Sequence, residues 1–169
     1  MTKKVLLTSF ATWEAHQVSN SSDDLLGIVA QRGLLSDRMH LARQLPVDFE
    51  LAPSQAIATI QQFKPDVVIC CGMAEMRKVL TVELNAWSQE VTHQTKVNLN
   101  QLLMGLAITE ISEDAGRYVC NTLYHCLLDY FHRHRLDIAC IFVHVPILTL
   151  ANTEAIAQDF LTILHRLKN

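Results

Sequence analysis

The feature that most constrains the fold of this 169-residue chain is a set of short, continuous apolar runs separated by helix-like segments. Three such runs cover residues 4–10, 67–71 and 137–145. Apolar runs without polar alternation are typical of strands that are buried on both faces of a parallel sheet. Strands that alternate with helices predict an α/β fold. We therefore expect a three-layer α/β/α sandwich with a mostly parallel, doubly wound mixed sheet.

The segments between these runs carry helix start and stop signals. Ser21 or Ser22 can cap a first helix that Gly33 ends, and Pro53 occupies an allowed first-turn position of a second helix. The polar, poorly periodic segment 87–105 is expected to be a loop. The helices are predicted at residues 21–33, 53–63, 116–135 and 152–167, and further strands at 40–47, 79–84 and 106–111.

Composition narrows the class of protein. The length suits one domain over residues 1–169, and 50% of the residues are apolar, enough for a core. A net charge of −3 argues against a nucleic-acid partner, and no apolar run is long enough for a membrane span. The N-terminus superficially resembles a signal peptide, but its apolar run is too short and is interpreted as a strand. Five cysteines in spacings that match no zinc template indicate a reducing compartment, so the chain is expected to be cytoplasmic.

Cys120 is the strongest candidate nucleophile. It lies in the first turn of the predicted helix 116–135, where free N–H groups and the helix dipole favour a thiolate. This position predicts a lowered thiol pKa and N–H groups that could stabilise an oxyanion. Taken alone, the residue is more simply a small core cysteine at the start of a helix.

His144 and Glu83 are candidates for the base and its orienting carboxylate. His144 ends an apolar strand, which is where site residues lie in open α/β sheets, and Glu83 ends the predicted strand 79–84. An imidazole and a carboxylate would complete a triad with the thiol. Taken alone, His144 could be a hydrogen-bonded histidine at the sheet edge, and Glu83 a solvent-facing glutamate.

A metal site is not expected. His125, His132 and His134 lie on one predicted helix with Cys126, but His132 and His134 are two residues apart and do not share a helix face.

Four sequence anchors, in order, resemble those of the pyroglutamyl peptidases, cysteine peptidase family C15. The resemblance runs through nearly the whole chain, and the third and fourth anchors are specific. The anchors are Thr8-Ser9-Phe10 with Trp13 and Asn20 downstream, residues 72–77 (GMAEMR) followed by Glu83, residues 112–121 (SEDAGRYVCN), and residues 142–146 (FVHVP).

The resemblance implies a cysteine peptidase that hydrolyses the amide bond after an N-terminal pyroglutamyl residue through an acyl-enzyme. It also implies the three-layer fold, a small peptide substrate with a blocked N-terminus, no metal or organic cofactor, and assembly as a homodimer or homotetramer. The implied triad is Glu83, Cys120 and His144. The implied substrate-binding residues are Phe10, Trp13, Asn20, Met73 and Val143, with Arg77 and Asn121 supporting the oxyanion.

Two loops depart from the family pattern. The first has Phe10 and Trp13 but lacks the proline and glycines that usually accompany its aromatic residues, and Met73, Glu75 and Met76 replace parts of the second. Hydrogen-bond readout of the lactam depends on such groups. Two alternatives therefore stay open: a catalytically weak or inactive binding or regulatory protein on the same scaffold, and an amidase or acyl transferase for another N-blocked substrate.

Overall fold

A computed structural model describes residues 2–33 and 36–169 of the chain. Predicted strands and helices alternate along it as expected, with small shifts at their ends. The elements, in chain order, are β1 (Val5–Phe10), α1 (Ser21–Gln31), β2 (Met39–Leu45), α2 (Leu51–Phe63), β3 (Val67–Met73), β4 (Leu80–Glu83), β5 (Asn85–Trp87), β6 (Thr92–Gln94), α3 (Leu99–Leu102), β7 (Thr109–Ser112), α4 (Val119–Arg133), β8 (Ala139–Val145) and α5 (Thr153–Lys168).

The main sheet is mixed and mostly parallel. Its strands, within the described ranges, lie in the order β2-β1-β3-β8-β4-β7. β1, β2, β3 and β8 run parallel, whereas β4 pairs antiparallel with β8 and parallel with β7. This topology confirms the predicted α/β class and the mixed sheet.

Two apolar cores lie on opposite faces of this sheet. One core includes Leu25 of α1 and Phe160 of α5, and the other includes Ile60 of α2 and Leu123 of α4. The strands supply both cores because successive side chains point to opposite faces. In β8, for example, Ile141 and Val143 belong to the first core and Cys140 and Phe142 to the second. These layers are the predicted α/β/α sandwich.

The prediction of a loop over 87–105 is wrong. β5 and β6 form an antiparallel hairpin that begins at Asn85, and α3 follows with its first turn capped by the side chain of Asn98. The hairpin is held by tertiary contacts: Ala86 is buried against α4, and the side-chain amide of Asn121 bonds both backbone groups of Trp87. Strands of three residues leave no periodic pattern that the sequence could reveal.

Other boundaries shift for local reasons. α4 begins at Val119 rather than at residue 116, because Gly116 has a φ of +79° and Tyr118 has an extended backbone. Asn20, rather than Ser21 or Ser22, caps α1 by accepting a hydrogen bond from the backbone N–H of Ser22. α1 ends at Gln31 with Arg32 as its C-cap, close to the predicted end at Gly33.

In the part of the chain that the structure describes, none of the helices is both long and apolar enough to cross a bilayer.

Candidate active site

The register of β3 and β8 brings His144 next to Gly72, at the carboxyl ends of these strands. A β-carbon built on Gly72 would lie 2.5 Å from Sγ of Cys120, so the sulfur packs directly against this glycine. Partners in parallel strands direct their side chains to the same face of a sheet. His144 therefore points to the face that α4 covers, where Cys120 lies, and both residues line one cavity.

A short hydrogen bond joins His144 to Glu83. Nδ1 of His144 lies 2.7 Å from Oε1 of Glu83, and a carboxylate can only accept, so Nδ1 carries the proton. The imidazole is thereby left with Nε2 as its free acceptor. His144 is 5% exposed and Glu83 is fully buried, and the ring of Phe142 packs against the imidazole with centroids 4.9 Å apart.

Arg77 also contacts the Glu83 carboxylate. Its Nη1 lies 2.9 Å from Oε1 of Glu83 and bonds the hydroxyl of Thr81, while its Nη2 donates to the backbone carbonyl of Asp114 at 2.9 Å. The family resemblance implies a role for Arg77 in supporting the oxyanion. The observed contacts instead tie its guanidinium to Glu83 and to the loop before α4, because a buried carboxylate attracts the nearest cation.

The predicted lowering of the Cys120 pKa is wrong. Burial of the thiol raises its pKa to about 12, with smaller contributions in the same direction from Cys70 and Glu83. The N–H of Cys120 itself and the charge of Arg77 act in the opposite direction but do not offset the burial. The helix N-terminus is present as predicted, yet desolvation of the sulfur dominates. Burial thus favours the neutral thiol over the thiolate in the free protein.

A small cavity opens beside the sulfur. It has a volume of about 100 Å³ and a mostly apolar lining. The ring of Trp13 lies 6.2 Å from that of Tyr118, which in turn meets Phe49 edge-on at 5.6 Å between centroids. The lining residues are Phe10, Trp13, Asn20, Val47, Met73, Ala115, Tyr118, Val119, Cys120 and His144.

The loop that bears Trp13 is held by a polar chain. Oε1 of Gln17 accepts hydrogen bonds from the backbone N–H groups of Trp13 and Glu14, at 3.0 and 3.3 Å. Nε2 of Gln17 donates to Glu75 at 2.6 Å, and His16 also contacts this carboxylate. Gln17, itself held by Glu75, therefore fixes the backbone of the loop at Trp13 and Glu14.

Three residues predicted at the site have other contacts. Val143 is fully buried in the core on the opposite face of the sheet, because it alternates with His144 along β8. Asn20 lines the cavity, but its amide caps α1 and donates to the carbonyl of Ala11 at 3.0 Å. The oxygen and the nitrogen of the Asn121 side chain each bond the backbone of Trp87, so this side chain anchors the β5–β6 hairpin.

Cavity residues that the sequence did not single out are Val47, Ala115, Tyr118 and Val119. Tyr118 and Val119 directly precede Cys120 in the sequence, so their position next to the candidate nucleophile could have identified them as cavity residues. Residues that could hold a metal do not cluster: within residues 2–33 and 36–169 no group of three or more His, Cys, Asp or Glu side chains is arranged for one.

The sequence profile of the pyroglutamyl peptidase family matches residues 3–101 and 102–159. The chain belongs to this family. Its members are cysteine peptidases that remove N-terminal pyroglutamate, which confirms the predicted family and peptidase class. The pyrrolidone-carboxylate peptidase of Brachyspira hyodysenteriae is 23% identical over 192 residues, covering 94% of this chain and 92% of that protein. The protein of that name from Bacillus subtilis is 26% identical over 175 residues, covering 86% and 79%.

Solved structures of pyroglutamyl peptidases share the fold. The pyroglutamyl peptidase I from Bacillus amyloliquefaciens superposes with a TM-score of 0.85 at 22% identity, covering 99% of this chain and 96% of that chain. The pyrrolidone carboxyl peptidase from Thermococcus litoralis gives a TM-score of 0.82 at 19% identity, with coverages of 98% and 93%. At these identities the superpositions establish the architecture, and the chemistry of the site is argued from its own residues.

Proposed function

We propose that this family member hydrolyses the amide bond after an N-terminal pyroglutamyl residue, with Cys120 as nucleophile, His144 as base and Glu83 as the carboxylate that orients the base. The observation that carries the proposal is the 2.7 Å bond from Nδ1 of His144 to buried Glu83, next to a sulfur packed on Gly72. This bond fixes the tautomer in which Nε2 can accept the thiol proton.

The raised pKa of Cys120 sets the order of events. A neutral thiol must lose its proton to Nε2 of His144 as the sulfur attacks the scissile carbonyl, and Glu83 stabilises the imidazolium that forms. The N–H groups in the first turn of α4 have no intrahelical acceptor and would stabilise the oxyanion. His144 then returns the proton to the leaving amine, and water, deprotonated by the same imidazole, releases pyroglutamate and regenerates the thiol.

The cavity supports a small, flat acyl group. Its volume of about 100 Å³ and its apolar lining suit one uncharged ring better than a charged or extended side chain. The faces of Phe10 and Trp13 can pack against such a ring. Lactam recognition in this proposal therefore rests on shape and aromatic packing, since the amide of Asn20 is committed to α1 and to Ala11.

The test is release of a fluorogenic coumarin amine from its pyroglutamyl amide by the purified, reduced protein. We expect turnover by the wild type and a loss of at least about 10⁴-fold in Cys120→Ala. Cys126→Ala is the matched control, because Cys126 lies on the same helix outside the cavity lining and should leave the rate unchanged. Absence of turnover by folded, reduced wild type would contradict the proposal.

A second candidate is a catalytically weak binding protein on the same scaffold. The burial that raises the pKa of Cys120 favours it, because a neutral thiol is a weaker nucleophile than a thiolate. It predicts that Cys120→Ala keeps the wild-type affinity for a pyroglutamyl peptide in calorimetry, while neither protein turns it over. Turnover that depends on Cys120 would exclude it.

The homodimer or homotetramer expected from the family remains a prediction, which sedimentation of the purified protein can test.

A further inference from the structure

Glu83 is an unusual buried carboxylate because its hydrogen bonds fall on one oxygen. Oε1 receives Nδ1 of His144 at 2.7 Å, Nη1 of Arg77 at 2.9 Å and the hydroxyl of Thr81 at 3.3 Å. Oε2 is buried and has no partner among the described residues. A buried carboxylate stays ionised only when its charge is compensated nearby. A neutral His144 supplies no charge, so the compensation must come from elsewhere.

The guanidinium of Arg77 is in position to provide it. Its side chain is 26% exposed, and its fork reaches Glu83 through Nη1 and the carbonyl of Asp114 through Nη2. One residue thus connects the carboxylate at the end of β4 with the loop that leads into α4. Arg77 itself comes from the loop between β3 and β4, which is fixed by a hydrogen bond from its own N–H to the carbonyl of Ala74.

We propose that Arg77 is a positioning residue that keeps Glu83 ionised and its Oε1 directed at His144. This inference rests on the proposed function, because the orientation of His144 matters for the reaction only if Cys120 is its nucleophile. It differs from the oxyanion-supporting role that the resemblance implies for Arg77.

Groups from three parts of the fold face Glu83. β8 contributes His144, the loop before β4 contributes Arg77, and α4 contributes the thiol of Cys120 and the hydroxyl of Tyr124, which donates to the backbone carbonyl of Glu83 at 3.1 Å. Arg77 is the permanent cation in this set. Without it, the charge of the buried carboxylate would lose its nearest compensating cation.

The test compares Arg77→Gln with wild type in the pH dependence of kcat/KM for the pyroglutamyl amide. We expect kcat to fall about 100-fold with little change in KM, as for a misplaced catalytic group. The acid limb of the profile should move to higher pH, because the buried carboxylate loses the cation next to it. Added guanidinium should restore part of the lost rate, since it can occupy the vacated site.

Arg117→Gln is the matched control. Arg117 holds the same loop, through Oδ1 of Asp114 at 2.7 Å, but does not contact Glu83. If Arg77 only fixed this loop, both variants would lose activity alike with the acid limb unmoved, and that result would overturn the proposal. If Arg77→Gln does not fold, judged by circular dichroism, Arg77→Lys decides: a retained acid limb with reduced kcat supports the proposal, and a shifted limb contradicts it.

A measurement without substrate separates this inference from the proposed function. The Nδ1 proton of His144 should give a strongly downfield NMR signal, which Glu83→Gln should move upfield because an amide oxygen is a weaker acceptor than a carboxylate. We expect Arg77→Gln to lose this signal at a higher pH than wild type does on acidification. An inactive wild type that shows this shift would refute the function and leave the role of Arg77 intact. If the wild type is active and Arg77→Gln has the same NMR signal and pH profile as wild type, the role of Arg77 is refuted.

Discussion

Asp23 and Glu83 are both buried carboxylates that pair with an arginine, and they differ in how their oxygens are used. In Asp23, Oδ1 accepts from Ser9 and Arg43, and Oδ2 accepts from Arg43 and Gln44, all within 2.7–3.0 Å. In Glu83 one oxygen collects every contact and the other has no partner in the described part of the chain. The Asp23 cluster joins β1, β2 and α1, whereas Glu83 faces the cavity through His144.

The comparison indicates how the fold separates stability from chemistry. A carboxylate with both oxygens saturated has one preferred arrangement, and its bonds resist change. A carboxylate bonded through one oxygen gives a single, short contact to an imidazole that must gain and lose a proton. We therefore interpret Asp23 as a structural residue and Glu83 as part of the reactive site.

The largest expected difference is in kcat, when the carboxylate of Glu83 or that of Asp23 is replaced by an amide. Glu83→Gln should lower kcat by about 10³–10⁴-fold, because the amide can present its carbonyl to Nδ1 but cannot compensate the imidazolium. Asp23→Asn should keep kcat within about 3-fold, because the clusters are separate, and lower the free energy of unfolding by about 2–3 kcal/mol. Steady-state kinetics and urea unfolding of both variants measure this. Equal effects of the two substitutions on kcat would remove the distinction.

A pair of glycines sharpens the same contrast. In Gly72→Ala the new β-carbon would lie 2.5 Å from Sγ of Cys120 and 2.8 Å from Cζ of Phe142, so the sulfur or the ring must move. A displacement of this kind should lower kcat/KM about 100-fold. In Gly27→Ala, within α1 beside the Asp23 cluster, the nearest atom is Nη2 of Arg43 at 3.5 Å, an ordinary contact.

Gly27→Ala should therefore keep full activity and gain about 0.5–1 kcal/mol in unfolding free energy from the better helix former. The account of how Cys120 packs would be wrong if Gly72→Ala were as active as Gly27→Ala.

The smallest expected effect is a pH dependence of stability at Asp23. Burial alone would raise the pKa of this carboxyl, but hydrogen bonds from Arg43, Ser9 and Gln44 lower it below its ordinary value. Folding therefore favours the ionised form. The contribution is complete well above the unfolded-state pKa, from about pH 5 upward, and is lost as the pH falls through the folded-state pKa. The difference in unfolding free energy between wild type and Asp23→Asn should shrink as the pH falls from about 5 to about 3. A difference that is constant over this range would contradict the assignment.

The sequence predicted the parts of the molecule that local pattern determines. Apolar runs located β1, β3 and β8, and the order of Glu83, Cys120 and His144 pointed to one sheet edge. The partners of long side chains were not predictable. Nothing in the sequence shows that Arg77 pairs with Glu83, or that Arg43 of β2 pairs with Asp23 of α1. The thiol pKa was missed for a related reason, since the dipole of α4 is a local property, whereas burial of Cys120 depends on the packing of Gly72 and Phe142.

The central claim, that Cys120 attacks the carbonyl with His144 as its base, is tested most directly by trapping the acyl-enzyme. The protein is mixed with a reactive pyroglutamyl ester, quenched in acid within the first turnover and digested for mass spectrometry. We expect one pyroglutamyl group on the peptide that contains Cys120, and no such adduct in the His144→Ala protein. A wild type that releases product without ever labelling Cys120, or a label on another cysteine, would contradict the account.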